Sequence, residues 1–261
     1  MDNPLTRPVP KEVPLKNAPL VKVIAQLRFS IIASIENQGF IAGFQEAIRN
    51  DYPILRPEQA FSLTLSPVGP SGNVSAKIWR FTNEQKTWTV SLSQDFIAIE
   101  TSIYTSRTDF LKKWKQVLIA AAEHLRLKQY DRLGVRYIDR IQDDALASIK
   151  KFVRSETLGI INIFSESEIS YTFNETLFKV EDSQLLARWG KLTANSTFDP
   201  AAIEPQPNES WVLDLDMFRN KPETLDVEKV MATSNFYAER IYSFFRWAVT
   251  DDFLKYYGGN S

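Results

Sequence analysis

The chain has 261 residues, 44% of them hydrophobic and 24% charged, a composition typical of one large globular domain or two smaller ones. The absence of cysteine excludes disulfides and thiolate chemistry, and the single histidine excludes a metal site built from several imidazoles. A net charge of −1 argues against a strongly basic body that would bind nucleic acid or anionic lipid through its overall charge.

Residues 1–19 are predicted to be an extended, proline-rich lead-in that lies over a domain surface or reaches a partner. The segment MDNPLTRPVPKEVPLKNAPL contains five of the 13 prolines, and each proline removes a backbone donor and disfavours helix in the residue before it. It has no apolar run like that of a signal peptide, and the chain has no stretch of the ~20 apolar residues that span a membrane. We therefore expect a cytoplasmic protein without a membrane partner.

Residues 20–130 are predicted to form a first α+β half. Alternating apolar side chains at 21–29 indicate a half-buried strand, and a short helix is expected at 39–53. The predicted buried face of that helix consists of Phe40, Phe44, Ala47 and Ile48. Four strand-like runs, separated by polar turns such as GPSGN, follow at 61–67, 75–81, 87–93 and 96–104. A long amphipathic helix at 107–127 ends this half.

Residues 131–261 are predicted to form a second half, closely packed on the first, with a similar order of elements. A strand at 132–141 and a short helix at 144–155 are followed by four strand-like runs and a long helix at 225–257. The four runs are 167–174, 177–182, 184–195 and 210–218. The predicted fold is α+β: duplicated β-α-β-β-β-β-α units, TATA-binding-protein-like or helix-grip-like, form a curved antiparallel sheet with long helices on one face.

Two motifs give the chain a likeness to known proteins. Asn17–Leu20 (Asn-Ala-Pro-Leu) leads into the first strand, and Arg132–Asp139 reads Arg-x-Gly-x-Arg-Tyr-Ile-Asp. With these motifs the chain resembles a sporadically distributed bacterial family of similar length, in which asparagine is frequent at the place of Asp139. The family has no assigned reaction. Its patchy distribution implies a mobile-element or phage-defence setting.

The strand RLGVRYIDRI carries three arginines on one face. Arg132, Arg136 and Arg140 alternate along it, and Gly134 lies between the first two. Guanidinium groups bind phosphate or carboxylate through paired N–H donors, so these arginines and Tyr137 are candidate ligand-binding residues. The alternative, which we favour, is that the arginines pair with acidic side chains on neighbouring strands.

The acidic candidates are Asp214 and Asp216, which share one face of the predicted strand at 210–218. Such a pair either holds a divalent cation, as in nucleotidyl-transfer enzymes, or neutralises Arg132 and Arg136. Because the chain has no glycine-rich phosphate loop and no recognisable third carboxylate, we assign no catalytic residue, no metal site and no cofactor.

Two further side chains receive structural interpretations. Trp79 lies among basic residues in KIWRF and could stack a nucleic-acid base, but a buried core tryptophan is favoured. His124, the only imidazole, lies on a helix that reads as structural.

The leading functional hypothesis is therefore a non-enzymatic binding or interaction protein that recognises a protein partner or a small anionic ligand. The alternative is a metal-dependent phosphoryl- or nucleotidyl-transfer enzyme that uses Asp214 and Asp216. A second alternative, nucleic-acid binding on the sheet face, is not favoured by the charge.

Overall fold

A computed structural model describes residues 3–66, 69–164 and 168–259, and for residues 60–66 and 69–76 it describes the backbone alone. Two predicted strands reach beyond these limits, because Pro67 and Ser167 lie outside the described residues. The described residues form nine strands, seven α-helices and two 3₁₀ helices.

The strands are β1 (Leu20–Arg28), β2 (Ile54–Ser66), β3 (Gly69–Thr82), β4 (Trp88–Ser93), β5 (Phe96–Thr101), β6 (Gln129–Ile141), β7 (Asn174–Val180), β8 (Ser183–Leu192) and β9 (Ser210–Thr224). The α-helices are α1 (Gln38–Ile48), α2 (Arg107–His124), α3 (Asp143–Leu146), α4 (Ile149–Phe152), α5 (Ser155–Leu158), α6 (Val227–Ala248) and α7 (Asp251–Tyr256). The 3₁₀ helices are Ala33–Glu36 and Gly159–Asn162.

The strands form one antiparallel sheet in the order β2-β3-β4-β5-β1-β6-β9-β8-β7. The predicted α+β class with an antiparallel sheet is therefore confirmed. Among the helices in the described part of the chain, none combines the length and the apolar character that crossing a membrane requires.

Contacts group the chain into two compact units, each made of separate segments. Unit 1 comprises Met1–Val23, Val135–Arg219 and Asn235–Ser261, and unit 2 comprises Ile24–Gly134 and Asn220–Ser234. The halves 20–130 and 131–261 stay a prediction.

Unit 2 contains the antiparallel meander of β2 to β5 with helices α1 and α2. Ser106 caps α2 by accepting a hydrogen bond from the Asp109 N–H, and the helix buries its apolar side, as predicted for 107–127. The prediction for α1 was partly wrong, because the helix ends at Ile48 and not at residue 53, and Ala47 of the predicted buried face is exposed. Ile41 is buried beside Phe44 and Ile48, whereas Phe40 is 37% exposed.

Unit 1 contains β7, β8 and the first ten residues of β9, together with the N-terminal lead-in and most of α6. The lead-in is held along α6. Arg240 donates to the carbonyl oxygens of Leu5 (3.2 Å) and Arg7 (2.8 Å), and the Tyr242 hydroxyl accepts from the Val13 N–H at 2.8 Å.

Several predicted elements differ from the observed ones in unit 1. The helix predicted at 225–257 is two helices, because Val249 forms a β-bridge with Val153 and Thr250 then caps α7. The helix predicted at 144–155 is two short helices, α3 and α4, and α4 ends at Phe152 because Val153 is extended in that bridge. Residues 168–173 form no strand, so the described part of the second half has three strands after β6 where four were predicted.

Candidate functional site

The arginine-bearing strand is β6, whose first six residues belong to unit 2 and whose last seven belong to unit 1. The two parts have different surroundings.

In unit 2, Arg132 lies back over its own strand. Its Nη1 donates to Gln26 Oε1 at 3.3 Å, and a Cβ added at Gly134 would lie 2.5 Å from the same Nη1. The room that glycine leaves is therefore filled by the Arg132 guanidinium itself.

In unit 1, Arg136 forms a bidentate ion pair with Asp214. Its Nε and Nη2 donate to the two carboxylate oxygens at 2.7 and 2.9 Å, and Arg188 Nη2 lies 2.8 Å from Oδ2 of the same carboxylate. Asp214 is completely buried, and Arg188 lies directly opposite it in the β8–β9 register. Burial lowers the pKa of Arg136, but Asp214 and then Asp199 outweigh it, so the net direction is upward. The charges of Arg136 and Asp214 are therefore paired with each other inside unit 1.

The same face of unit 1 is tied to the loop between β8 and β9. Arg136 Nη1 donates to Asp199 Oδ2 at 2.8 Å, and Arg140 Nη1 donates to the Glu204 carbonyl oxygen at 3.0 Å. The guanidinium of Arg188 also lies 5.2 Å from the ring centre of Phe198. The loop therefore has several arginine contacts although it contains three prolines and no regular element.

Arg140 is only 6% exposed, and its Nε and Nη2 have no hydrogen-bond partner among the described residues. Burial lowers its pKa. Tyr137, the remaining ligand-binding candidate, is partly buried on β6. The ligand-binding role of Arg132, Arg136, Arg140 and Tyr137 stays a prediction.

The acidic candidates differ in exposure. Asp214 is buried and accepts from two arginines, whereas Asp216 is partly exposed opposite Leu186. In residues 3–66, 69–164 and 168–259, no group of three or more His, Cys, Asp or Glu side chains is placed to hold a metal ion. The oxygens of Asp214 that a cation would need accept hydrogen bonds from guanidinium groups instead.

Trp79 has the buried position that was favoured for it. It is 2% exposed and donates from Nε1 to the Ile35 carbonyl oxygen at 2.7 Å, while Lys77 Nζ lies 4.0 Å from its ring centre. The indole is therefore not exposed for base stacking. His124 ends α2, with Glu123 at 4.0 Å.

A cavity in unit 1 was missed by the sequence analysis. Its volume is about 580 Å³, within the range of small-molecule sites. Its apolar wall includes Leu146, Ile149, Ile161 and Ile169. Its polar lining includes Asp143, Lys191, Asn208, Glu209 and Trp211.

Two of the lining residues, Lys191 and Trp211, are directly opposite each other in the β8–β9 register. Lys191 Nζ lies 3.0 Å from Glu209 Oε2 and donates to the Ile169 carbonyl oxygen at 3.0 Å. Trp211 is 1% exposed, and its buried Nε1 has no hydrogen-bond partner in the part of the chain that the structure describes.

One sequence signal could have indicated this site. In the β8 segment LARWGKL, Lys191 occupies the same strand face as the buried Leu185 and Ala187. A lysine at a core-facing strand position needs a buried polar partner, and that requirement marks a site or an ion pair.

In comparisons with known proteins, no family model matches the chain and no curated protein matches it. The resemblance to a bacterial family therefore stays a prediction that rests on the Asn17–Leu20 and Arg132–Asp139 motifs.

Proposed function

We propose that this is a non-enzymatic binding protein that takes a small anionic ligand into the cavity of unit 1. The observation that carries the proposal is that Lys191 and Trp211, which face each other in the β8–β9 register, both line a cavity whose wall is partly apolar. Lys191 supplies a buried positive charge, and Trp211 supplies a buried N–H donor that has no partner among the described residues.

The arginine strand supports this choice of site. The guanidinium of Arg136 is held by Asp214 and Asp199, and Arg140 is tied to the backbone of residue 204. The bonds of Arg136 would have to break before it could bind an external anion, and Arg140, although two of its donors have no partner among the described residues, is only 6% exposed. Lys191 has a partner, Glu209, whose side chain is 47% exposed and free of such confinement.

The enzyme alternative is weakened by the environment of Asp214. Nitrogen atoms of Arg136 and Arg188 lie 2.7 and 2.8 Å from the oxygens of Asp214. A metal ion bound to this carboxylate would therefore be repelled by both guanidinium charges. The protein partner expected from the sequence stays a prediction.

Strand order supports the duplicated fold as part of this proposal. The opening strands β1 and β6 each neighbour the last strand of their own half, β5 and β9. We infer that a common β-α-β unit gave rise to both halves.

Melting temperatures can test the proposed function against the enzyme alternative. We expect small monoanions to raise the melting temperature of the wild type and not that of Lys191→Met. Lys221→Met, at a side chain that is 63% exposed, is the matched control and should respond like the wild type.

Titration with magnesium and manganese tests the metal-dependent enzyme alternative by the same measurement. We expect neither ion to stabilise the wild type. Stabilisation by either ion that disappears in Asp214→Asn would support the transferase instead, and an anion effect that persists in Lys191→Met would overturn the assignment of the site.

A further inference from the structure

Two residues with different hydrogen-bond donors line the cavity. Lys191 has a side chain that is 9% exposed, and its ammonium lies 3.0 Å from Glu209 Oε2. The Trp211 indole is directly across the strand pair, where opposing Cβ atoms are typically about 5 Å apart. A carboxylate, with two oxygens on a single carbon, can accept from an ammonium and from an N–H donor together.

The indole N–H of Trp211 is a buried donor whose hydrogen bond is not satisfied by any described residue. Trp211 Nε1 is buried and has no partner among the described residues, and a buried donor normally has one. A ligand oxygen that accepts from Nε1 would complete it.

Charge around the cavity selects for a single negative charge. Asp143 and Glu209 both line the cavity, and Asp143 Oδ1 accepts from Asn208 Nδ2 at 3.2 Å. A dianion would be repelled by both carboxylates, whereas a monoanion that replaces Glu209 leaves the local charge unchanged.

The proposed ligand would replace the Glu209 carboxylate as the partner of Lys191. The carboxylate of Glu209 contacts the buried ammonium of Lys191 while much of the glutamate side chain stays in solvent, and another carboxylate in its place would keep the ammonium paired. An incoming carboxylate can therefore displace it at low cost.

Part of the wall is apolar. Leu146, Ile149, Ile161 and Ile169 line a volume of about 580 Å³. Burial of each additional methylene group in such surroundings is favourable, so affinity should rise about three- to fourfold per methylene until the cavity is full.

From these observations we infer that the cavity binds a monocarboxylate with an apolar tail, and that Glu209 occupies the carboxylate position when the ligand is absent. This inference rests on the proposed function, which requires only that an anion bind at Lys191.

Indole NMR on the full chain tests the inference directly. The protein is labelled with ¹⁵N at its tryptophan indoles, and the Trp211 resonance is assigned with Trp211→Phe. Titration with butanoate, hexanoate and octanoate should shift this resonance, with affinity rising along the series. Hexanol, which has the tail without the charge, should bind at least about tenfold more weakly than hexanoate.

Three variants, measured by calorimetry with hexanoate, separate the roles. Glu209→Gln should tighten binding by about three- to tenfold because the internal competitor loses its charge, and Glu84→Gln in an exposed turn should leave affinity unchanged. Trp211→Phe should weaken binding by about five- to tenfold, and Lys191→Met by more. Glu209→Gln and the chain-length series keep the test decisive if Lys191→Met does not fold.

The outcomes are distinguishable. Equal binding of hexanol and hexanoate, or no effect of Glu209→Gln, overturns the inference. A Trp211 shift with inorganic phosphate but not with hexanoate overturns the ligand class while the proposed function stands. No shift with any of these anions, together with no rise in the melting temperature, overturns both.

Discussion

At the scale of single residues, Asp139 is a buried carboxyl group whose ionisation is disfavoured by burial. It lies on β6 and is 7% exposed, and burial raises its pKa to about 7. Nearby, burial, Tyr256 and Asp139 together raise the pKa of Tyr257 to about 12. An unfolded aspartate ionises near pH 4, so between about pH 4 and 7 the folded state binds the proton that the unfolded state has lost. Its contribution to stability is therefore fully present below about pH 4 and is lost as the pH rises to about 7.

Asp139→Asn removes this ionisation and keeps the shape of the side chain. We expect the free energy of unfolding near pH 8 to rise by about 2–4 kcal/mol over the wild type, with the difference vanishing near pH 4. Urea unfolding at several pH values measures it. The exposed control Asp51→Asn should change stability by less than about 0.5 kcal/mol at every pH. A difference for Asp139→Asn that does not depend on pH would contradict the assigned cause.

Asp214 is the residue that holds the arginine face of unit 1 together. Asp214→Asn would leave Arg136 and Arg188 without their shared buried carboxylate, so we expect unfolding to become easier by about 3–5 kcal/mol. Urea unfolding again provides the measurement. Asp95→Asn breaks an exposed pair with Arg28 and should cost less than about 1 kcal/mol. Similar losses in both variants would show that burial does not set the value of the Asp214 network.

At the scale of elements, the N-terminal lead-in behaves as an extra layer on α6. It has no regular secondary structure, yet Leu5 is buried and the carbonyl oxygens of Leu5, Arg7 and Lys11 all accept hydrogen bonds from α6 side chains. Backbone groups that would otherwise be hydrated are thus paired with Arg240 and Tyr242. Prolines suit this segment because its backbone donors are needed at few positions.

Tyr242→Phe should release the middle of the lead-in. The variant loses the bond from the Val13 N–H and the bond to the Lys11 carbonyl oxygen, at a cost of about 1–2 kcal/mol. Hydrogen exchange should become faster at Val13 and remain unchanged in β4. Unchanged exchange at Val13 would mean that other contacts hold this segment.

At the scale of the whole molecule, each compact unit is assembled from distant parts of the chain. Unit 1 includes residues at both ends, and the Arg140 N–H donates to the Pro19 carbonyl oxygen at 2.8 Å. Unit 2 includes residues 220–234, and the Leu225 N–H donates to the Lys128 carbonyl oxygen at 2.8 Å. Neither half of the sequence contains a complete unit.

A fragment of residues 131–261 should therefore fail to fold cooperatively by itself. It lacks residues 1–23, which supply partners for Arg240, Tyr242 and the backbone of β6. We expect a broad thermal transition by circular dichroism and poor dispersion in the NMR spectrum, in contrast to the full chain. A sharp transition with native-like dispersion would show that this half is an independent domain.

The predictability of the fold differs among its elements. Helix α2 was predicted to within three residues, because its apolar positions recur at helical spacing and Ser106 caps it. The C-terminal helix was predicted as one piece, although it breaks at Val249. Its break depends on a bridge to Val153, almost 100 positions earlier, which no local pattern shows.

The candidate site was predicted unevenly for a similar reason. Alternation along RLGVRYIDRI and SWVLDLDMF placed Arg136 and Asp214 on strand faces, and the favoured pairing of arginine with acid is seen between these two residues. Arg188 and Asp199 were not predicted as their partners, because they lie on a different strand and in an irregular loop. The Lys191–Trp211 cavity was missed because it depends on the β8–β9 register and on short helices far from both strands.

The sequence by itself determined the α+β fold class, the principal helices and the faces of the charged strands, since these follow from local periodicity and composition. Only the tertiary structure decided which charges meet, which buried polar groups have no partner among the described residues, and where a cavity is left. The physical reason is that burial and pairing are set by residues distant in sequence, and they fix the charge state and the chemistry available to each side chain.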